Sequence, residues 1–147
     1  MKDNQVKSAE GKVFFDTNIL VYSADNKDLR KKEIASKLIS DAINSGNGVI
    51  STQCLQEFFN VAQKKLNISK EAAKEYVEFF ADNISVTQIS VPLILSAVDI
   101  SIKSQFSFWD SLILSAADDT GCATVYSEDL SDQQIVGGAR IQNPFAA

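Results

Sequence analysis

The sequence predicts an α/β fold, an α/β/α sandwich with a mainly parallel central sheet. Three observations carry this. Short apolar runs of strand length alternate with longer segments of helical periodicity, as in β-α units. The first runs, Val13 to Phe15 and Gly48 to Ser51, are continuously apolar or small, as in strands buried on both faces. A length of 147 residues with 45% apolar content suffices for one core, so a single domain over residues 1–147 is expected.

The elements follow in order. The first ten residues, MKDNQVKSAE, are polar, and residues 1–11 read as an N-terminal extension. Lys12 to Asp16 reads as a strand. From Asn26 to Ser45, Leu29, Ile34, Leu38, Ile39, Ala42 and Ile43 recur at helical spacing, with Gly46 as the stop. Gly48 to Ser51 is the second strand, and Leu55, Phe58, Phe59, Ala62 and Leu66 mark one face of the helix after it. A helix over Ser69 to Asp82 leads into the alternating run ISVTQI, Ile84 to Ile89, and Pro92 suits the first turn of a helix running to about Ser104. A further helix runs from Ser107 to Gly121, and Cys122 to Tyr126 is the next strand. The chain then reads as a short helix over Ser131 to Val136 and an extended run from Ala139 to Gln142.

Composition narrows the function classes. No histidine is present, which excludes Ser-His-Asp and Cys-His catalysis and histidine-bound zinc; any metal must be held by oxygen. Cys54 and Cys122 both fall in apolar segments and read as buried thiols in a reducing compartment. No run approaches a membrane span and no apolar leader opens the chain, so a cytoplasmic protein is expected. The net charge of −5 is uneven: residues 1–75 hold twelve Lys/Arg against ten Asp/Glu, whereas residues 76–147 hold two against nine. Lys27, Arg30, Lys31, Lys32 and Lys37, with Lys64, Lys65, Lys70 and Lys74, read as solvated helix faces that could also form a phosphate-tracking rim.

In a parallel α/β sheet, ligands bind beyond the carboxyl ends of the strands, where the strand order reverses. Asp16 stands at the end of the first strand and Asp129 just past the end of Cys122 to Tyr126, so the two carboxylates can share one crevice. Each could equally cap a turn or helix. In SFWDSLILSAA, Asp110 is the only polar residue besides the serines, and apolar residues on every side of the helix imply partial burial. Ser107 to Asp110 also fits the S-x-x-D capping pattern. Glu57 lies with Gln53, Asn60 and Lys64 on the polar side of its helix, which by itself implies exposure.

Together, FFDTNILVYSAD, STQCLQEFFNV, FWDSLILSAADDTGC and VYSEDLSDQQIVGGARIQNPF resemble the PIN-domain ribonucleases, in particular the VapC toxin branch. The likeness runs from Lys12 to Phe145. It implies an endoribonuclease that leaves a 5′-phosphate and a 3′-hydroxyl. Asp16, Glu57, Asp110 and Asp129 match the family's acids, with Asn18 and Ser127 at the polar positions that support them. The three aspartates would be the main ligands of Mg²⁺ or Mn²⁺, and Glu57 a ligand or water-orienting group. A cognate antitoxin, RNA as substrate and a homodimer are implied likewise. The sequence departs from this branch at Gln133, where glycine is common. Two alternatives remain: a haloacid-dehalogenase-type phosphotransferase, which needs Asp rather than Asn at position 18, and a non-catalytic binding module that keeps the fold.

Overall fold

A computed structural model describes residues 11–146; the extension expected over residues 1–11 lies, apart from Gly11, outside the described residues. Six strands form one sheet: β1 (Lys12–Phe15), β2 (Gly48–Ser51), β3 (Ser85–Thr87), β4 (Cys122–Tyr126), β5 (Ile135–Val136) and β6 (Ala139–Gln142). Their order is β3-β2-β1-β4-β6-β5, all parallel except the β5–β6 hairpin. From β1 the chain builds outward through β2 to β3, then crosses back to place β4 on the other side of β1. The reversal therefore falls at the β1–β4 crevice, where a parallel α/β sheet opens to ligands.

Six helices pack on this sheet as an α/β/α sandwich: α1 (Thr17–Ser23), α2 (Leu29–Ser45), α3 (Thr52–Lys65), α4 (Lys70–Asn83), α5 (Val91–Lys103) and α6 (Phe108–Asp119). They associate as α1 with α2 and α3, α3 with α4, and α5 with α6. Phe14 and Phe15 of β1 and Ile50 of β2 are fully buried, as the continuous apolar runs predict. Helix α6 is buried from Ser111 to Ala117, because apolar residues surround it. Gly46 ends α2 in the left-handed conformation, φ 71°, that glycine adopts without a Cβ clash. Cys54 and Cys122 are buried free thiols, as expected.

Four expectations need correction. Helix α1 is absent from the sequence reading: TNILVYS is short and rich in β-branched and aromatic residues, so its helicity comes from burying Thr17, Ile19, Leu20 and Val21. Strand β1 accordingly ends at Phe15, and Asp16 is the N-cap of α1. Helix α2 starts at Leu29 rather than Asn26, capped by Asp28, whose side chain accepts from Lys31 N. The helix expected over Ser131 to Val136 is instead a turn and the first strand of a hairpin, closed by Gln133 N donating to Ile141 O at 2.7 Å and Ile141 N to Gln134 O at 2.8 Å. Tertiary pairing with β6 outweighs a local propensity too short to nucleate a helix. Gln133 itself has φ 70°, so the loop keeps a left-handed backbone at the position where the resembling toxins commonly carry glycine.

Candidate functional site

The site begins at the backbone of β1. Asp16 N donates to Tyr126 O at 3.0 Å, which carries the β1–β4 pairing past the last strand residue and brings the Asp16 side chain beside the loop leaving β4. There Ser127, fully buried, donates its hydroxyl to Asp16 Oδ2 at 2.7 Å, while Thr17 N donates to Oδ1 at 2.7 Å. Asp16 thus caps α1 while its second oxygen is held at the loop that leaves β4. Asp16 is only 7% exposed. Burial raises its pKa from 3.8 to about 6, opposed by the bonds from Ser127 and Thr17 and reinforced by the negative charges of Glu57 and Asp110.

Ser127 also fixes the loop that carries Asp129. Its Oγ accepts from Asp129 N at 3.2 Å and Leu130 N at 3.3 Å, so one hydroxyl joins Asp16 to the turn bearing the second aspartate. Asn18, in the first turn of α1, donates Nδ2 to Asp129 Oδ2 at 3.0 Å, and its Oδ1 accepts from Glu128 N at 3.3 Å. Asp129 itself is exposed.

Glu57 does not stand free on a polar helix face. Thr17 donates its hydroxyl to Glu57 Oε1 at 2.6 Å, and Gln53, one turn earlier on α3, donates Nε2 to Glu57 Oε2 and to Trp109 O, both at 3.2 Å. Gln53 is buried, and its Oε1 is the one buried side-chain polar atom without a hydrogen-bond partner among the described residues. Thr17 and Gln53 were missed in the sequence. Thr17 lies inside the D-T-N stretch, and Gln53 stands four residues before Glu57, the spacing of neighbours on a helix.

Asp110 lies in the first turn of α6, half-buried. Its backbone N donates to Ser107 Oγ at 3.1 Å, so Ser107 caps α6 as the serine half of the pattern requires. Its carboxyl pKa is nevertheless raised, first by desolvation and then by the charges of Asp129 and Glu57, while a hydrogen bond with Ser107 lowers it. Asp16 thus lies within electrostatic reach of Glu57 and Asp110, and Asp110 within reach of Asp129 and Glu57. Among the described residues, no three Asp, Glu or Cys side chains stand close enough to enclose a metal ion as placed. A cavity of about 530 Å³ opens beside Asp110 and Asp129; Asp16 and Glu57 do not line it.

A cationic cluster adjoins the crevice. Lys31 donates to Glu128 Oε2 and Tyr22 donates its hydroxyl to Glu128 Oε1 at 2.7 Å, so the residue between Ser127 and Asp129 is clasped to α1 and α2. Partial burial pushes the Glu128 carboxyl up, but Lys31 and Tyr22 hold it below the usual range. The Lys31 and Lys65 ammonium groups lie 4.7 and 5.3 Å from the Tyr22 ring centroid, and Lys27 donates to Lys65 O at 3.4 Å. Basic residues from two sequence segments are thus gathered, while Lys37 pairs locally with Asp41 as a solvated helix face. Among the described residues no helix is long and apolar enough to cross a membrane.

Solved structures share this fold. The chain is similar to a protein in a DNA-bound VapBC structure from Salmonella typhimurium, at 21% identity and a TM-score of 0.69, covering 91% of this chain and 98% of that one. It is similar to a chain of a toxin–antitoxin complex from Klebsiella pneumoniae, at 18% identity and a TM-score of 0.65, covering 92% and 100%. It is also similar to VapC20 of Mycobacterium tuberculosis, described as a sarcin-ricin loop cleaving toxin, at 15% identity and a TM-score of 0.62, covering 78% and 87%. No curated protein matches the sequence. The profile of the PIN domain matches residues 13–135, and the chain belongs to the PIN domain family.

Proposed function

We propose that the chain, as a single nuclease domain, is a divalent-metal-dependent endoribonuclease and the toxin of a toxin–antitoxin pair, acting in the cytoplasm. The observation that carries this is the gathering of acids at the β1–β4 switch point of a PIN-family chain, where Asp16 feels the charges of Glu57 and Asp110, and Asp110 those of Asp129 and Glu57. Like charges are gathered there with hydrogen-bond donors but, among the described residues, no ion-paired cation of their own, the setting in which carboxylates bind a cation.

The donor set fits a hard ion. Four carboxylates with no sulfur or imidazole suit Mg²⁺ or Mn²⁺, which Asp16, Asp110 and Asp129 would hold, with Glu57 as a further ligand or water-orienting group. Because no three acids among the described residues converge as placed, binding entails a closer approach of these side chains. A bound ion would supply positive charge beside the phosphodiester and a water of lowered pKa. Ser127 and Thr17 N hold both oxygens of Asp16, Asn18 orients Asp129, and Thr17 with Gln53 orients Glu57. No side-chain nucleophile is needed, and water attack leaves a 5′-phosphate and a 3′-hydroxyl.

The Salmonella and Klebsiella complexes support a cognate antitoxin as partner, and an acidic crevice suits an inserted arginine as a bidentate pair. The VapC20 description supports RNA as substrate. A homodimer follows from the family alone. A non-catalytic binding module draws on the lack of a ready-made ligand cluster. Incubation of the purified chain with a mixed RNA pool decides between them. Cleavage with Mg²⁺ or Mn²⁺ that EDTA stops and Asp110→Asn reduces by orders of magnitude supports the nuclease; full cleavage in EDTA, or none with either ion, refutes it.

A further inference from the structure

Two cavities lie side by side at the edge of the acidic crevice. The first, about 530 Å³, is lined by Asp110 and Asp129 together with Lys103, Ser104, Gln105 and Gln134. The second, about 520 Å³, shares Lys103, Ser104, Phe106 and Gln134 with it, adds the carboxylate of Asp99, and reaches Ile135 and Gly137 at the β5–β6 hairpin. The shared residues make one continuous trough from the two acids, past the C-terminal end of α5, to the hairpin.

The chemistry of the lining is uneven. Lys103 is one of only two Lys/Arg in residues 76–147, against nine Asp/Glu, yet it stands in the wall shared by both cavities. Among the described residues it forms no ion pair, and the side-chain amides of Gln105 and Gln134 form no hydrogen bond. A cation and two amides are therefore free to bind, next to carboxylates that would repel an unguided polyanion. Trp109, the only tryptophan in the chain, is 62% exposed immediately before Asp110.

We propose that this trough is the track for single-stranded RNA on one side of the scissile phosphate, with Lys103 pairing to a backbone phosphate and Gln105 and Gln134 reading the edge of an unstacked base. The proposal rests on the nuclease function above and adds to it the residues that set sequence preference. Single strands are recognised through a cationic groove that tracks phosphate and polar groups that meet splayed base edges. Lys103 and the two amides supply the phosphate and base-edge contacts of such a strand, while Asp110 and Asp129 at the crevice end stay available to a metal ion or to an antitoxin arginine.

The test uses the full chain, a single-stranded RNA oligomer and quenching of Trp109 fluorescence in EDTA, so that binding is read without cleavage. Lys103→Gln should weaken binding severalfold and reduce the slope of log affinity against log salt by about 0.7, the value of one single-strand phosphate contact. With Mg²⁺ or Mn²⁺ the same change should fall on KM rather than kcat. Gln105→Leu with Gln134→Leu should redistribute the cleavage sites in a mixed RNA pool. Wild-type affinity and salt slope in Lys103→Gln, or no binding by the wild type at low salt, would overturn the track. Cleavage that persists with an unaffected Lys103→Gln sinks the trough alone; RNA binding without metal-dependent cleavage sinks the nuclease and leaves the trough standing.

Discussion

Replacing Asp16 by Asn should stabilise the metal-free chain at neutral pH. Burial and the neighbouring acids raise the Asp16 pKa from 3.8 to about 6. Between those values the folded chain holds a proton that the unfolded chain has released, so stability falls as pH rises through that window and the full cost is present above pH 6. At 1.36 kcal/mol per pH unit the cost is about 3 kcal/mol at pH 7.5. Asn carries no charge and caps a helix as well as Asp, but it can accept through only one of the two positions that Ser127 and Thr17 N now occupy. One lost hydrogen bond offsets about 1 kcal/mol. The net gain is about 2 kcal/mol, or roughly 4–8 °C in melting temperature for a chain of this size. Near pH 4.5 the ionisation cost shrinks to about 1 kcal/mol and the advantage should vanish. Thermal melts of both proteins in chelator at pH 7.5 and 4.5 provide the measurement. An Asp16→Asn protein that melts at or below wild type at both pH values would refute the claim that Asp16 sits in an unrelieved, desolvated cluster.

Further outcomes are expected elsewhere in the site. Asp110→Asn should leave metal-free stability unchanged or slightly raised and remove most of the Mn²⁺-induced increase in melting temperature, which for wild type grows as RT ln(1 + [L]/Kd); a lower melt in chelator with the full metal shift would mark Asp110 as a cap only. Thr17→Val should cost about 1 kcal/mol by freeing Glu57 Oε1 and should lower kcat, read by single-turnover cleavage. Glu128→Gln and Lys31→Met should each change stability by no more than about 1 kcal/mol, as partly exposed pairs do, and weaken Mn²⁺ binding through the loop that carries Asp129; unchanged Mn²⁺ midpoints would disconnect the clasp from the site. Gly137→Ala should destabilise the hairpin by more than 1 kcal/mol in urea titration, because φ is 60° and an added Cβ would come within 2.5 Å of Asp118 Oδ1.

What the sequence determined by itself was the alternation of strands and helices, and it also pointed to the candidate acids, Asp16, Asp129 and Asp110 by their positions and Glu57 through the family resemblance. Apolar runs of strand length fix where the chain can be buried on both faces, and the rule that ligands meet the carboxyl ends of parallel strands then points at Asp16 and Asp129 without any contact being known. The apolar surround of Asp110 likewise reveals its partial burial, because a helix with no polar face has no side left for solvent. Tertiary structure decided the rest. Glu57 reads as exposed on its own helix, and only the packing of α3 against α1 presents it to Thr17 and turns Gln53 inward. Helix α1 exists because its apolar residues meet a core, since seven residues with β-branched side chains cannot nucleate a helix in water. The lysines around Tyr22 come from segments more than thirty residues apart, and the trough joins α5 to the hairpin. Periodicity records which side of an element is apolar; which elements then face each other is set by the strand order, and no local pattern carries that.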